Sequence, residues 1–272
     1  MEDLQKFISI FAGLDSAYGT YRVESQNEKG KSVGKAVVVR QPPTTELWQK
    51  HIDGVEPSLG IIPIRADNSC VWGCIDIDTY PLDLAALVKK VQRLKLPLVC
   101  CRSKSGGAHV YAFTKSPVPA GDMQDYLVGC AALMGESGRE IFPKQREILI
   151  SRGDTGNFLN LCFFNAGRTL RYAIKEDGSA ATLHEFFEMY DANAQTKLTL
   201  PKAVAKVDAP VSDGPPCLQA LCSQGFPEGS RNNGMFSLGL YLKKAFPEGW
   251  ETKLMEFNQK YFDPPLGLQE LG

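Results

Sequence analysis

The stretch Cys74-Ile-Asp-Ile-Asp78 organises this chain. In an extended strand, residues two apart share a face. Asp76 and Asp78 therefore point together, while Ile75 and Ile77 pack on the other side. Two carboxylates this close repel at neutral pH and need a cation or a shared proton. An all-oxygen donor pair suits Mg²⁺ or Mn²⁺. Taken alone, the same pattern also describes two solvated aspartates at a strand end.

Outward from it, residues 71–78 read as a buried strand that Tyr80-Pro81 breaks. Asp83 then caps a helix over residues 84–94, whose apolar positions 84, 87, 88, 91 and 94 keep helical spacing. Residues 98–102 and 108–113 read as strands joined by a turn, and residues 122–134 as a helix. Strands are expected at 147–151 and 158–164, separated by a Gly-rich turn. Upstream, residues 1–60 look irregular, apart from a strand at Val37-Val38-Val39, a short helix over 44–52 and a Gly-containing loop at 54–60.

Two more segments carry chemistry. The turn in Arg102-Ser-Lys-Ser-Gly-Gly-Ala-His109 has glycines where a backbone must bend sharply or approach a ligand. Arg102 and Lys104 add positive charge, the amides around Ser105 and Gly106 can cradle an anion, and His109 can donate to a phosphate. The plain alternative is an ordinary hairpin with a surface histidine. In Arg139-Glu-Ile-Phe-Pro-Lys-Gln-Arg146, Glu140 would complete a carboxylate cluster and Lys144 would aim a cation at the same region; the alternative is a charged loop. Asp78 to His109 and His109 to Glu140 are both 31 residues, each interval holding a helix and a strand. Connections of that length can bring all three to one sheet edge. An acidic pair, an anion-binding turn with His, then an acid with Lys describes a metal-dependent nucleotidyl transfer centre, with three carboxylates holding two metals.

The ordered set Asp76-Ile-Asp78, Ser105-Gly-Gly-Ala-His109 and Glu140-Ile-Phe-Pro-Lys-Gln145, followed by Gly156-Asn157, resembles the archaeo-eukaryotic primase superfamily in its phage- and plasmid-encoded primase-polymerase branch. Weaker similarity runs through Trp48, His51, Gly54 and Leu59-Gly-Ile-Ile-Pro63, so that the likeness covers about residues 5–195. Gly229-Ser-Arg-Asn-Asn-Gly234 resembles the start of the small helical module that follows such catalytic domains. The resemblance implies an α+β fold: an RNA-recognition-motif-like catalytic sheet backed by helices, with an N-terminal α/β unit. It implies DNA primase and DNA polymerase activity on a single-stranded DNA template or primer-template. By motif match, Asp76, Asp78 and Glu140 would hold Mg²⁺ or Mn²⁺, and Ser105 and His109 would contact the NTP or dNTP. No Walker-type helicase motif is present, so unwinding would fall to a helicase domain or replisome protein.

Composition fits this picture without requiring it. With 43% hydrophobic and 22% charged residues, the chain is neither disordered nor fibrous. Thirty basic and 31 acidic residues leave a net charge of −1, so nucleic-acid binding must come from local clustering or from metal. The N-terminus lacks a basic signal region, and no run approaches the roughly 18 apolar residues of a membrane span. The expectation is a cytoplasmic protein with no membrane partner, of a bacterial host or encoded by phage or plasmid. Eight cysteines, none in Cys-x-x-Cys spacing, read as small hydrophobes, with Cys217 and Cys222 weak metal candidates lacking partner ligands.

The division expected is a catalytic domain over 1–195, a Pro- and Ala-rich linker over 196–216, and a helical module over 217–272 with helices at 218–223, 235–246 and 251–262. Ser230 would cap a helix running on from Arg231, placing Arg231 and Asn232 on a first turn suited to a phosphate of the template or initiating nucleotide. The ending Leu271-Gly272 reads as the edge of a larger replication protein. Two other readings compete. One is a replication-initiation nucleic-acid-binding module without catalysis, which would gain nothing from converging carboxylates. The other is a sugar-nucleotide glycosyltransferase, which gives the His109 turn no role.

Overall fold

The computed structural model describes residues 2–26, 32–200, 211, 214–226, 231–262 and 264–267. The class is α+β. Its contacts divide the chain into two compact units, Met1–Val128 with Gly138–Thr199, and Gly129–Ser137 with Leu200–Gly272.

The first unit opens with α1 (Glu2–Ile10), β1 (Tyr18–Gln26), β2 (Ser32–Val39), α2 (Thr45–Asp53) and β3 (Ser58–Ile61). It continues with β4 (Ser69–Ile77), α3 (Leu84–Arg93), β5 (Val99–Arg102), β6 (Ala108–Pro119), α4 (Ala120–Leu133, counted with this unit as far as Val128), β7 (Glu140–Phe142), β8 (Leu159–Asn160) and α5 (Leu183–Asn193). Two four-stranded antiparallel sheets result, in the orders β2-β1-β3-β8 and β5-β6-β4-β7.

The second sheet is built around β4, which is buried on both faces. Along one face run Trp72, Cys74 and Asp76, opposite Phe113, Tyr111 and His109 of β6. Phe11, just past α1, seats its ring against Trp72, Tyr111, Phe113 and Phe186 at centroid distances of 5.4–5.9 Å. Such edge and offset contacts are the favoured aromatic geometries. The other face of β4 meets α4 at Gly73, where a Cβ would fall 2.6–2.7 Å from Met123 and Leu127 side-chain atoms. The helices end as their sequences dictate. Thr44 and Asp83 accept the N–H of Leu47 and Ala86, Gly54 closes α2 in the left-handed region at φ 77°, and Thr182 and Glu185 form a reciprocal capping box on α5.

Several expectations need correction. The described residues up to 60 form α1, β1, β2, α2 and the start of β3 rather than mostly irregular chain, and they supply Phe7 and Phe11 to the core. Residues 139–146 are not loop throughout, because Glu140–Phe142 pairs with β4 before the chain turns irregular at Pro143. No strand forms at 147–151: Ile150–Arg152 is a 3₁₀ turn, and the N–H of Ile148 and of Leu149 go to Asn68 and Asp154 side chains. The strand expected over 158–164 shrinks to Leu159–Asn160. Four elements, α1, β1, β3 and α5, were not anticipated, and β3 begins within the stretch expected as a loop at 54–60.

In the second unit, α6 (Pro216–Gln224), α7 (Arg231–Ala245) and α8 (Trp250–Tyr261) enclose Leu218, Cys222, Met235, Leu238 and Leu242. Phe226 and Phe262 stack with centroids 4.0 Å apart. Buried Asn258 bonds both backbone groups of Leu266. Arg231 and Asn232 do open a helix, but Ser230 lies outside the described residues. Cys70, Cys74, Cys100, Cys101, Cys130, Cys162 and Cys222 are buried and free, as small hydrophobes should be. No helix among the described residues is long and apolar enough to cross a membrane.

Candidate active site

Pairing register assembles the centre. Asp76, one residue from the end of β4, faces His109 of β6 on one side and Glu140 of β7 on the other. Directly opposed residues in adjacent strands project to the same face, so three positions far apart in sequence form one row across the sheet. The row continues the Trp72–Cys74 face, which is apolar as far as Tyr111 and turns polar at His109. Asp78 follows just past the strand.

A cleft of about 900 Å³ opens on Asp76 and His109 of this row, while Glu140 lies outside its lining and borders a neighbouring depression with Gln124 and Arg146. Asp76, Asp78, Tyr80, Ser103, Lys104, Ser105, His109, Phe142 and Lys144 line it from the second sheet and its loops. Tyr21, Ala36, Val38, Leu159 and Asn160 of the first sheet line it too, with Asn157 and Phe158 just before β8. The hairpin carrying Ser103–Ser105 turns at Gly106, with φ 95°. Gly107 then lets β6 approach β4, because a Cβ there would stand 2.2 Å from the Ile77 carbonyl oxygen.

The carboxylates are in unequal states. Asp76 Oδ1 is buried and has no hydrogen-bond partner. Burial, then the charges of Asp78 and Glu140, push its carboxyl up to about 7, against the pull of Lys144. Asp78 accepts the Tyr80 hydroxyl at 2.8 Å, and Glu140 accepts Lys144 Nζ at 2.8 Å. His109 Nε2 stands 3.6 Å from Asp76 Oδ1. Burial, then the positive charge of Arg171, hold the imidazole down at about 4. The contact is thus between a neutral imidazole and a carboxyl, not an ion pair. Tyr111 O lies 3.2 Å from Nδ1. When Tyr111 donates there, the ring proton sits on Nε2, on the Asp76 side.

An orphaned carboxylate oxygen beside two further carboxylates fits a hard divalent cation. Among the described residues, however, no three of His, Cys, Asp and Glu are grouped so as to hold a metal ion. Asp78 and Glu140 are instead engaged by Tyr80 and Lys144.

The remaining expected residues divide. Lys104 lies in the cleft with Nζ 3.7 Å from the centre of the Tyr21 ring. Arg102 does not line the cleft: its guanidinium donates to the Leu170 carbonyl at 3.0 Å. Arg231 and Asn232 belong to the second unit, where Arg231 donates to the Pro264 carbonyl at 2.6 Å. Sequence reading missed Arg171. The segment around it runs beside β5 through the bonds Arg102 N–H to Tyr172 and Ile174 N–H to Cys100. That pairing buries Arg171, with bonds of only 3.3 and 3.4 Å to Ser58 Oγ and the Leu161 carbonyl and no carboxylate in ion-pair range among the described residues. No local pattern announces such a residue. Ser103 Oγ and Asn160 Oδ1 are likewise buried without partners.

A family model described as the archaeo-eukaryotic primase domain of the TOTE conflict system matches residues 2–187. The chain belongs to this family of archaeo-eukaryotic primase domains. The superfamily expected from the three motifs is therefore the one found, and the matching model is that of the conflict system. Among solved structures, the primase domain resembles the corresponding domain of the cyanophage S-2L primase-polymerase. Identity is 14%, covering 71% of this chain and 97% of that one, with a TM-score of 0.41. No curated protein matches.

Proposed function

We propose that this primase domain is a template-directed nucleotidyltransferase with DNA primase and DNA polymerase activity, acting on nucleoside triphosphates along single-stranded DNA. The observation that carries the reading is the register itself: Asp76 stands between His109 and Glu140 in the sheet, and Asp76 and His109 line the cleft beside the Ser103–Ser105 turn.

In this reading Asp76, Asp78 and Glu140 would hold Mg²⁺ or Mn²⁺, and the ion would supply acidification of a 3′-hydroxyl and charge to offset the departing pyrophosphate. The chain's own residues bind and orient. Neutral His109 donates its Nε2 proton to a phosphate oxygen. Ser105 and Lys104 hold the triphosphate from the turn, and Lys144, on leaving Glu140, faces the same phosphates. Arg171 adds a fixed positive field behind His109. The 3′-oxygen attacks the α-phosphorus as its proton passes to solvent water, and the bond to pyrophosphate breaks, releasing that group as the leaving anion.

A second reading has one observation in its favour. The Glu140–Lys144 pair neutralises a carboxylate that catalysis needs free, as in a nucleic-acid-binding domain that keeps the sheet without the reaction. Labelled nucleotides, a single-stranded template and Mn²⁺ or Mg²⁺ decide between them. The wild-type chain should make template-dependent product. Asp76→Asn should lower synthesis by more than about 100-fold, because metal-ion stabilisation is worth several kcal/mol, and its stability should hold or rise as a buried repulsion is removed. Template binding without any product, unchanged in Asp76→Asn, would establish the binding module instead.

A further inference from the structure

Facing the carboxylates, the cleft has an apolar wall built in an unusual way. Gly19 of β1 and Gly60 of β3 are directly opposed in register, and the Phe158 ring lies across both. A Cβ on Gly19 would fall 2.0–2.3 Å from three ring atoms, and one on Gly60 would fall 2.4 Å from Cδ2. Neither glycine has a left-handed backbone, so what they supply is room and not conformational freedom. Any side chain at either position would lift the ring off the sheet. Phe158 is only half-buried and stands outside the aromatic core. One side of it is pressed on backbone, and the ring lines the cleft. Beside it lies Val38, the register partner of Gly19 and 38% exposed, with Ala36 and Tyr21 completing the wall. Asn160, two residues along the strand from Phe158, brings its unpartnered buried Oδ1 to the same cleft.

We infer that Phe158, seated on Gly19 and Gly60, is the platform on which the base of the incoming nucleoside triphosphate stacks. This rests on the nucleotide reading of the cleft and adds the half of the ligand that the carboxylates and the His109 turn leave unassigned. The cleft volume falls within the range that encloses a ligand of nucleotide size. A flat ring fixed against backbone offers a π-face to any base, so the contact adds affinity without choosing among bases. Asn160 Oδ1 accepts a hydrogen bond from an N–H or O–H of the nucleoside.

The test uses the full chain and measures dissociation constants for dATP and for inorganic tripolyphosphate, both with Mg²⁺, by calorimetry. The wild type should bind dATP more tightly than tripolyphosphate. Phe158→Ala should weaken dATP by roughly 5- to 150-fold, the usual effect of removing one base–aromatic stack, and leave tripolyphosphate unchanged. That unchanged binding also shows that the variant is folded. Gly60→Ala should act like Phe158→Ala by displacing the ring. Phe158→Trp should keep the preference, and dATP but not tripolyphosphate should change its fluorescence relative to the wild type. Equal affinity of the wild type for both ligands, or a preference that survives Phe158→Ala, overturns the platform while the phosphate site stands. Parallel loss of both ligands in Phe158→Ala and Phe158→Trp also overturns it, in favour of a packing role. A wild type that binds neither ligand removes the nucleotide reading and the platform together.

Discussion

Single buried polar residues hold this fold at defined points, and His51 is one of them. Its ring is fully buried, accepting the Leu59 N–H on Nδ1 at 3.0 Å, with Nε2 2.8 Å from the Cys162 carbonyl. It thereby ties α2 to β3 and to the chain after β8. Burial holds its pKa at about 4, and the charge of Arg171 works in the same direction against the Cys162 bond. A histidine depressed on folding stays neutral in the native state while the unfolded state takes up the proton. Its contribution is therefore present above about pH 6.5 and is lost as pH falls towards 4, for roughly 3 kcal/mol in all. Urea denaturation at pH 7 and pH 4.5 should show the wild type losing more stability than His51→Gln over that interval. Identical losses would mean that His51 does not titrate with unfolding. Sequence similarity marked His51 and Trp48, but nothing in the sequence said that both ring nitrogens were used.

At the scale of elements, legibility followed burial and period. Strands β4, β5 and β6 and helix α3 lay close to where hydrophobic patterning placed them. Strand β7 was hidden because three residues flanked by charges look like a loop until β4 lies beside them. The converse error came from residues 147–151, whose Glu-Ile-Leu-Ile-Ser pattern suits a strand. Leu149 and Ile150 are 44% and 41% exposed. A strand needs a ladder for its backbone groups, and side chains took those bonds instead. The β4–β6 register, which places His109 opposite Asp76, depends on the close approach at Gly107. Gly107→Ala would force its Cβ onto the Ile77 carbonyl. It should cost about 1–3 kcal/mol of stability and weaken dATP binding by moving His109. Denaturation midpoints and calorimetry report the two effects, and a variant unchanged in both would show that the hairpin does not set the register.

For the molecule as a whole, the helical unit can be tested apart from the cleft. The start of α7 is the positive end of a helix dipole, yet Arg231 also bonds the Pro264 carbonyl and so helps hold its own unit together. Asn232→Ala separates these roles better than Arg231→Ala. If the helix start receives the initiating nucleotide, Asn232→Ala should reduce primer initiation several-fold more than extension of an annealed primer. Initiation alone needs a second nucleotide beside the elongation site. Equal loss of both activities, or no loss, would leave the unit a structural or spacing role.

What the amino-acid order determined by itself was local. Two aspartates on one strand face, a Gly-Gly turn ending in His109 and an acid ahead of Phe142-Pro143 are readable because strand period and turn chemistry act within a few residues. Their order along the chain was enough to indicate the superfamily. Tertiary structure alone decided which charges meet. Glu140 is paired with Lys144 rather than left free, Arg102 turns to Leu170 instead of the cleft, and Arg171 enters behind His109 without a local signal. Phe158 finds its glycines in strands far away in sequence. Pairing register and burial are set by contacts between distant segments, and the charge state of each group follows from the neighbours those contacts supply.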